Sequence, residues 1–365
     1  MNIVIRADAS NWIGSGHIVR CTSLARVLEK AGAKVHFICR RMPGDFHDWL
    51  FNLGFTVHAL KRSEGPGVGM VGQPSHYSWL GTSLEAELEQ VAAVLDKIGQ
   101  VDWFIVDHYA MDWAWEGSMR SRGVRVMVID DMADRRHECD LLLDQNLYPD
   151  AGGRYVGLLP DDCAQLLGPY YALLQDDYVD LRERVRLRVG KVSRVLVYYG
   201  GFKEGGLTLL STRTLLEVGD HDLLVDVVLN QEHPDYGALW ELSIASGGRC
   251  TLHSKLPSLA QLMLEADLSI GACGSTSWER CCLGLPTLAV PLSDNQRMIA
   301  QGLQAGGYVK VIGDVEDDDR SMLVKCIERV LSQPLDPEWS QQCFNLVDGL
   351  GTYRVASSMG FNIEH

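Results

Sequence analysis

Long apolar runs are missing from this chain. No stretch approaches the about 18 uninterrupted apolar residues that mark a membrane-spanning helix, so no membrane partner is expected. The first residues, MNIVIRADAS, carry no basic segment, long apolar core or cleavage site of a secretory leader. Positive charge is scarce as well. Lys plus Arg number 33 against 48 Asp plus Glu, a formal net charge of −15. An acidic surface repels nucleic acid and anionic lipid, so nucleic acid is not an expected partner either. The regular close cysteine spacings of a small secreted domain are absent. The ten Cys are scattered along 365 residues, a pattern of reduced thiols that points to a cytoplasmic location. The adjacent Cys281 and Cys282 have no nearby Cys/His quartet, so no metal site is expected. No Gly-x-Ser-x-Gly elbow is present to support a Ser-His-Asp hydrolase. No close repeat suggests a solenoid, and no coiled-coil or long edge segment departs from the expectation of a monomer.

What is present is an ordinary globular balance, 46% apolar and 22% charged, at a length suited to two domains. Short apolar runs alternate with helical patterns. Asn2 to Arg6 reads as a strand, Ile18 onward as a helix stopped by Gly32, and Lys34 to Cys39 as the next strand. Phe55 to Ala59, Asp102 to Asp107, Val124 to Ile129 and Leu141 to Asp144 extend the series, with an amphipathic helix over Leu84 to Ile98 and a Gly/Pro/Ser-rich loop over Ser63 to Ser78. A basic stretch, Arg182 to Lys191, marks a junction. The pattern then restarts with strands at Val192 to Tyr199, Leu223 to Leu229, Leu268 to Gly271 and Thr287 to Pro291. Intervening helices read at Leu207 to Val218, Leu259 to Ala266, Thr276 to Leu283 and from Asn295 onward. The expectation is an α/β protein of two Rossmann-like domains, 1–180 and 181–365, each an open parallel sheet. Ligands of such sheets lie at the carboxyl ends of the strands, and a cleft between two facing sheets is the default site.

Two turns carry most of the chemistry. In Ile13-Gly14-Ser15-Gly16-His17-Ile18-Val19-Arg20, glycines between a strand and a helix let N–H groups approach an anion. The third glycine of a dinucleotide fingerprint is missing. His17 is either an incidental residue of a tight turn or a general base whose pKa the helix N-terminus lowers. In Gly271-Ala272-Cys273-Gly274-Ser275-Thr276-Ser277-Trp278-Glu279, the hydroxyls and N–H groups of Ser275 and Thr276 suit a diphosphate, and Glu279 suits ribose hydroxyls. The alternative is an ordinary Ser/Thr-capped helix with an acid in its first turn. Asn295 and Gln296, beyond the next strand, supply both donors and acceptors for sugar hydroxyls. Asp107-His108-Tyr109 sits at a strand's carboxyl end, where a carboxylate beside an imidazole reads as catalytic or as a solvated terminus. Asp130-Asp131, before Asp134-Arg135-Arg136, reads as a structural pair bound to helix ends or arginines rather than a Mg²⁺ site.

The segments IRADAS, IGSGHIVRC, HYSWLG, VDHYAMDWAWE, DDMADRRHECDLLLDQN, GACGSTSWERCCLGLPTLAV and VDGLGTYRV, in that order, resemble the UDP-sugar hydrolase family of pseudaminic acid biosynthesis over nearly the whole chain. The resemblance implies a glycosyltransferase-B type of fold. It also implies hydrolysis of UDP-2,4-diacetamido-2,4,6-trideoxy-β-L-altropyranose to UDP and free sugar, without metal or cofactor. It makes His17 the base and the second domain the UDP holder. The matched segments bring Gly14, Gly16, Arg20, Asp107, Tyr109, Asn146, Gly274, Ser275, Thr276 and Glu279 into the substrate-binding set, with Asn295, Gln296 and the glycines Gly200 and Gly201 beside them. One departure stands out. The family's polar Gly-Gly-Ser-Asp-Pro turn is here Gly200-Gly201-Phe202-Lys203-Glu204. Lys203 either supplies a positive charge in its place or is solvated. A glycosyltransferase with a soluble acceptor and a non-catalytic sugar-nucleotide-binding protein are the competing readings.

Overall fold

The computed structural model describes residues 1–62, 75–200, 205–313 and 321–363. Chain contacts divide it into two units: residues 1–146, 150–173 and 351 onward form the first, and 147–149 with 174–350 the second. Gly201 and Phe202 to Glu204 lie outside the described residues, as does most of the Gly/Pro/Ser-rich loop.

The first unit holds β1 (Asn2–Ala7), α1 (Gly16–Lys30), β2 (Lys34–Arg40), α2 (His47–Asn52), β3 (Thr56–Leu60) and α3 (Leu84–Ile98), then β4 (Trp103–Asp107), α4 (Trp113–Arg120), β5 (Arg125–Ile129), β6 (Leu141–Asp144) and β7 (Ala164–Leu167). Its seven strands are all parallel, in the order β3-β2-β1-β4-β5-β6-β7. A strand covered on both faces must be apolar on both, and the alternation sorts the side chains. Ile3, Ile5 and Ala7 enter one core with Ile18 and Leu24 of α1. Val4 enters the other with Val91 of α3 and Trp115 of α4. The same alternation sends Arg6 and Asp8 to the second face, where they are fully buried. Arg6 Nε donates to Glu87 Oε1 at 2.7 Å, Arg6 Nη1 to Asp8 Oδ1 at 2.5 Å, and Arg40 also pairs with Glu87. These charges are compensated within the fold, as buried charges must be.

The second unit holds α5 (Asp176–Arg182), β8 (Arg194–Tyr198), α6 (Leu207–Val218), β9 (Leu224–Val228), α7 (Tyr236–Ala245), β10 (Cys250–His253) and α8 (Ala260–Glu265). They are followed by β11 (Leu268–Ala272), α9 (Thr276–Cys282), β12 (Thr287–Val290), α10 (Asp294–Ala305), β13 (Val309–Val311), α11 (Ser321–Leu331) and α12 (Pro337–Leu346). Its strands run parallel in the order β10-β9-β8-β11-β12-β13. The basic junction proves partly internal. Arg188 is buried and donates to the carbonyls of Met263 at 2.8 Å, Leu264 at 3.1 Å and Ala266 at 3.1 Å. Burial pushes its pKa down to about 10.

The last helix, α13 (Gly351–Ser358), returns to the first unit rather than staying with the segment 181–365. Its Val355 and Ala356, with Met359 beyond, complete the core on α1, and Trp103 Nε1 donates to the Met359 carbonyl at 3.0 Å. Among the described residues, no helix is long and apolar enough to cross a membrane.

Candidate active site

In each sheet the strand order reverses at one point: between β1 and β4 in the first, and between β8 and β11 in the second. Carboxyl ends at such a reversal are where open α/β sheets bind ligands. The two turns singled out by sequence follow β1 and β11.

The turn after β1 is built to deliver His17. Gly14 takes a positive φ of 83°, and its N–H donates to the Ser10 carbonyl at 2.9 Å. The Ser10 hydroxyl accepts from the Ile13 N–H at 3.1 Å. Gly16 opens α1, whose N-cap Ser15 makes no side-chain cap. His17 and Arg20, three residues apart, share one helix face and both reach Asp107, which ends β4 beside Ala7 of β1. His17 Nδ1 is 2.5 Å from Asp107 Oδ1, while Arg20 clamps the carboxylate through Nε to Oδ2 at 2.7 Å and Nη2 to Oδ1 at 2.6 Å. All three are buried. Burial opposes ionisation of Asp107, but the Arg20 guanidinium and the His17 ring hold its carboxyl well below the usual range. An ionised carboxylate only accepts. In a neutral His17 ring the proton therefore belongs to Nδ1 and the lone pair to Nε2. That is the tautomer a general base needs.

A second layer supports this dyad. The Tyr109 ring meets the His17 ring edge-on, centroids 4.8 Å apart, and its hydroxyl donates to Asp131 Oδ1 at 2.5 Å. Asn146 Nδ2 donates to Asp131 Oδ2 at 2.9 Å, and Arg20 Nη1 lies 4.0 Å from the same oxygen. His76 and Trp79 complete an aromatic cluster, with Trp79 5.6 Å and His76 5.4 Å from Tyr109.

The structure thus brings Gly14, Gly16, His17, Arg20, Asp107, Tyr109 and Asn146 together. It separates Asp107 from His108, which points to the other sheet face and lies 3.3 Å from Asp8. It also separates the acidic pair. Asp130 is structural, 2.8 Å from Arg135 Nη1 and accepting from the Ala133 N–H at 2.9 Å. Asp131 belongs to the site, a role the sequence reading missed. The alternation of side chains beyond β5 was the available signal.

In the second unit, Gly271 lets β8 and β11 approach: a Cβ there would lie 2.0 Å from the Tyr198 carbonyl. Gly200, with φ 87°, follows β8. Gly274 and Ser275 link β11 to α9, and a Cβ at Gly274 would stand 3.8 Å from Gln296 Nε2, so those two segments meet. Gln296 Oε1 accepts from the Leu292 N–H at 3.0 Å, leaving its amide nitrogen toward that turn. Asn295 Oδ1 accepts from Ser293 at 2.5 Å. Ser275 makes no side-chain cap. Thr276 Oγ1 is 3.3 Å from Nη2 of the buried Arg280, which also grips the Ala272 carbonyl. Burial raises the Glu279 carboxyl to about 7, partly offset by the Tyr178 hydroxyl and Arg280. Among the described residues, no group of three or more His, Cys, Asp or Glu is arranged to hold a metal ion.

No protein-family model matches the chain. It is 24% identical over 315 residues, 84% of its length and 98% of the relative's, to the UDP-2,4-diacetamido-2,4,6-trideoxy-β-L-altropyranose hydrolase of Campylobacter jejuni. It is 20% identical to an uncharacterised protein of Methanocaldococcus jannaschii over 81% of this chain and 57% of that protein. Among solved structures, it is similar to Phytolacca americana UGT2 in complex with UDP-2-fluoro-glucose and pterostilbene, with TM-score 0.69 and 14% identity over 98% of each chain. MurG of Acinetobacter baumannii gives 0.63 and 14% over 98% of this chain and 99% of that one. Spinosyn rhamnosyltransferase SpnG with thymidine diphosphate gives 0.63 and 16% with the same coverage. The fold is the glycosyltransferase-B type, and the resemblance found in the motifs extends across the sequence.

Proposed function

We propose that this chain is a hydrolase of a UDP-linked sugar, UDP-2,4-diacetamido-2,4,6-trideoxy-β-L-altropyranose, releasing UDP and the free sugar in pseudaminic acid biosynthesis. The observation that carries the reading is the buried Asp107–His17 pair clamped by Arg20 at a sheet's reversal point. The similarity to the Campylobacter jejuni hydrolase supplies the substrate. In this mechanism His17 Nε2 takes a proton from water as the oxygen attacks the anomeric carbon. The bond from that carbon to the β-phosphate oxygen breaks, and its electron pair leaves with UDP. Asp107 then stabilises the imidazolium without taking the proton, as in other His–Asp pairs. Attack from the face opposite UDP inverts the anomeric centre. UDP is a good leaving group, so stabilising the departing charge matters more than protonating it. That task falls to the second unit, where Gly274, Ser275 and Thr276 bring N–H and hydroxyl donors, and Glu279 and Gln296 take the nucleoside.

The structural neighbours whose names describe sugar transfer favour a second reading, a transferase acting on the same donor class. Incubation with the UDP-sugar and no acceptor separates the two. The hydrolase releases equal amounts of UDP and free sugar at full rate; a transferase leaves the donor intact. In ¹⁸O-water, early sampling places the label in the sugar. Label in the β-phosphate of UDP would refute attack at carbon.

A further inference from the structure

Tyr109 has two sides. One meets His17; the other walls a cavity of about 170 Å³ that the mechanism above does not use. Tyr77, Ala110, Asp112, Trp113, Arg135 and Arg136 complete its lining, all within the first unit. The volume equals that of roughly six waters, at about 30 Å³ each. That is room for a small substituent and not for a nucleoside.

Its walls are held before any ligand arrives. Tyr109 is tied to Asp131 at 2.5 Å. Arg135 is fixed through Nε to the Met111 carbonyl at 2.7 Å and through Nη1 to Asp130 at 2.8 Å. Asp112 caps α4 by accepting from the Ala114 N–H at 3.0 Å, and the Trp113 N–H donates to the Arg136 carbonyl at 3.0 Å. Trp113 nonetheless stays more than half exposed, although a large ring at a capped helix start has apolar surface to bury. Arg136 is exposed, and no described residue pairs with its guanidinium. Aromatic and alanine surface suits a methyl group. Two guanidiniums, Arg135 and Arg136, stand against the one carboxylate of Asp112 in the lining, and a guanidinium suits a carbonyl oxygen and disfavours an ammonium.

We propose that this cavity is a specificity pocket for an N-acetyl group of the substrate sugar, with the methyl against Tyr77, Tyr109 and Trp113 and the carbonyl oxygen toward Arg136. The assignment of an acetamido sugar rests on the hydrolase reading; the pocket's chemistry does not. A fixed pocket next to the base would hold the sugar in register with His17, so the acetyl group contributes to rate as well as to binding.

The test compares kcat/KM for the diacetamido UDP-sugar with that for its counterparts carrying a free amine in place of one acetamido group. A small apolar increment in a fitted pocket is worth about 10–200-fold. The wild type is expected to prefer the acetylated substrate by at least about tenfold over one counterpart. Trp113→Ala and Arg136→Ala are each expected to erase most of that preference while leaving the Kd for UDP unchanged. Variants that keep the wild-type ratio overturn the pocket and leave the hydrolase reading standing. If the wild type releases no UDP from any of these substrates, the hydrolase reading fails. Saturation-transfer NMR on the free diacetamido sugar then decides the pocket. Saturation of an acetyl methyl that is lost in Trp113→Ala but kept in the surface control Trp240→Ala supports it. Equal signals in all three proteins overturn it.

Discussion

Replacing Asp107 with Asn tests the dyad most sharply, because the change is nearly isosteric, removes the charge and turns one acceptor oxygen into a donor. The wild-type carboxylate is fully buried and accepts from His17 at 2.5 Å and twice from Arg20, at 2.6 and 2.7 Å. The amide in the Asp107→Asn variant would keep one acceptor oxygen and present an NH₂ donor where the second oxygen stood. Arg20 would be left as a buried cation with half its clamp, and breaking one side of a buried pair costs about 3–5 kcal/mol. For a unit of this size that lowers Tm by roughly 6–20 °C, within the about 5–15 kcal/mol that a folded domain has to lose. The effect on rate has a separate origin. With an amide donor facing it, Nδ1 becomes the acceptor and the proton moves to Nε2, so the base is lost. Turnover is expected to fall by about 10²–10⁴-fold, the size of a general-base contribution. The two effects also separate with pH. Because the folded Asp107 carboxyl lies below its ordinary value, its contribution to stability is complete above pH about 4 and is lost as pH falls through the folded pKa. Thermal melts of wild type and variant should converge on acidification, whereas the turnover gap at neutral pH should persist at temperatures where both are folded. A variant with wild-type turnover at neutral pH would refute the assignment of Nε2 as the base.

His17→Ala should lower turnover by at least about 10²-fold while calorimetry finds the UDP Kd nearly unchanged; normal turnover removes His17 from the mechanism. Glu279→Ala should weaken UDP binding by about 1.5–3 kcal/mol, the size of a charged hydrogen bond. Since burial pushes the Glu279 carboxyl up to about 7, wild-type UDP affinity should rise as pH climbs through that value and the accepting carboxylate forms, and the Glu279→Gln affinity should not; an unchanged Kd in the alanine variant would make Glu279 structural. Treatment with EDTA should leave activity intact, because Asp130 is occupied by Arg135 and Ala133 and Asp131 by Tyr109 and Asn146. Activity lost on chelation and restored by Mg²⁺ or Mn²⁺ would reverse that reading.

The architecture was legible because both sheets are parallel and buried, which forces each strand into a short apolar run bounded by turn residues. Strands such as β1 and β4 carry that signature, and so do the glycine turns that follow β1 and β11. Less legible were β7, β10 and β13. They lie at the sheet edges and are only three or four residues long, too short for a hydrophobic period. The return of α13 to the first unit was hidden for a different reason. Its Val355 and Ala356 pattern marks a buried face but does not say which core receives it. The hydrogen bond that ties this end of the chain down joins Trp103 to Met359, 256 residues apart in sequence.

The site divides along the same line. His17 was readable because a local turn presents it, and that turn is built from residues near it in sequence. The partner that fixes its tautomer comes from the far side of a parallel crossover. Neither the adjacency of Asp107 to His108 nor that of Asp130 to Asp131 reported function. In each pair strand geometry splits the neighbours. Asp107 turns to His17 and His108 to the other core, while Asp131 turns to Tyr109 and Asp130 to Arg135. The productive contacts join residues at the ends of β1, β4, β5 and β6. Those ends are far apart in sequence yet stand side by side in the sheet. Asp107 and Asp131 both draw their donors from side chains at these strand ends, so each carboxylate fixes its neighbours: Asp107 holds His17 and Arg20, and Asp131 holds Tyr109 and Asn146.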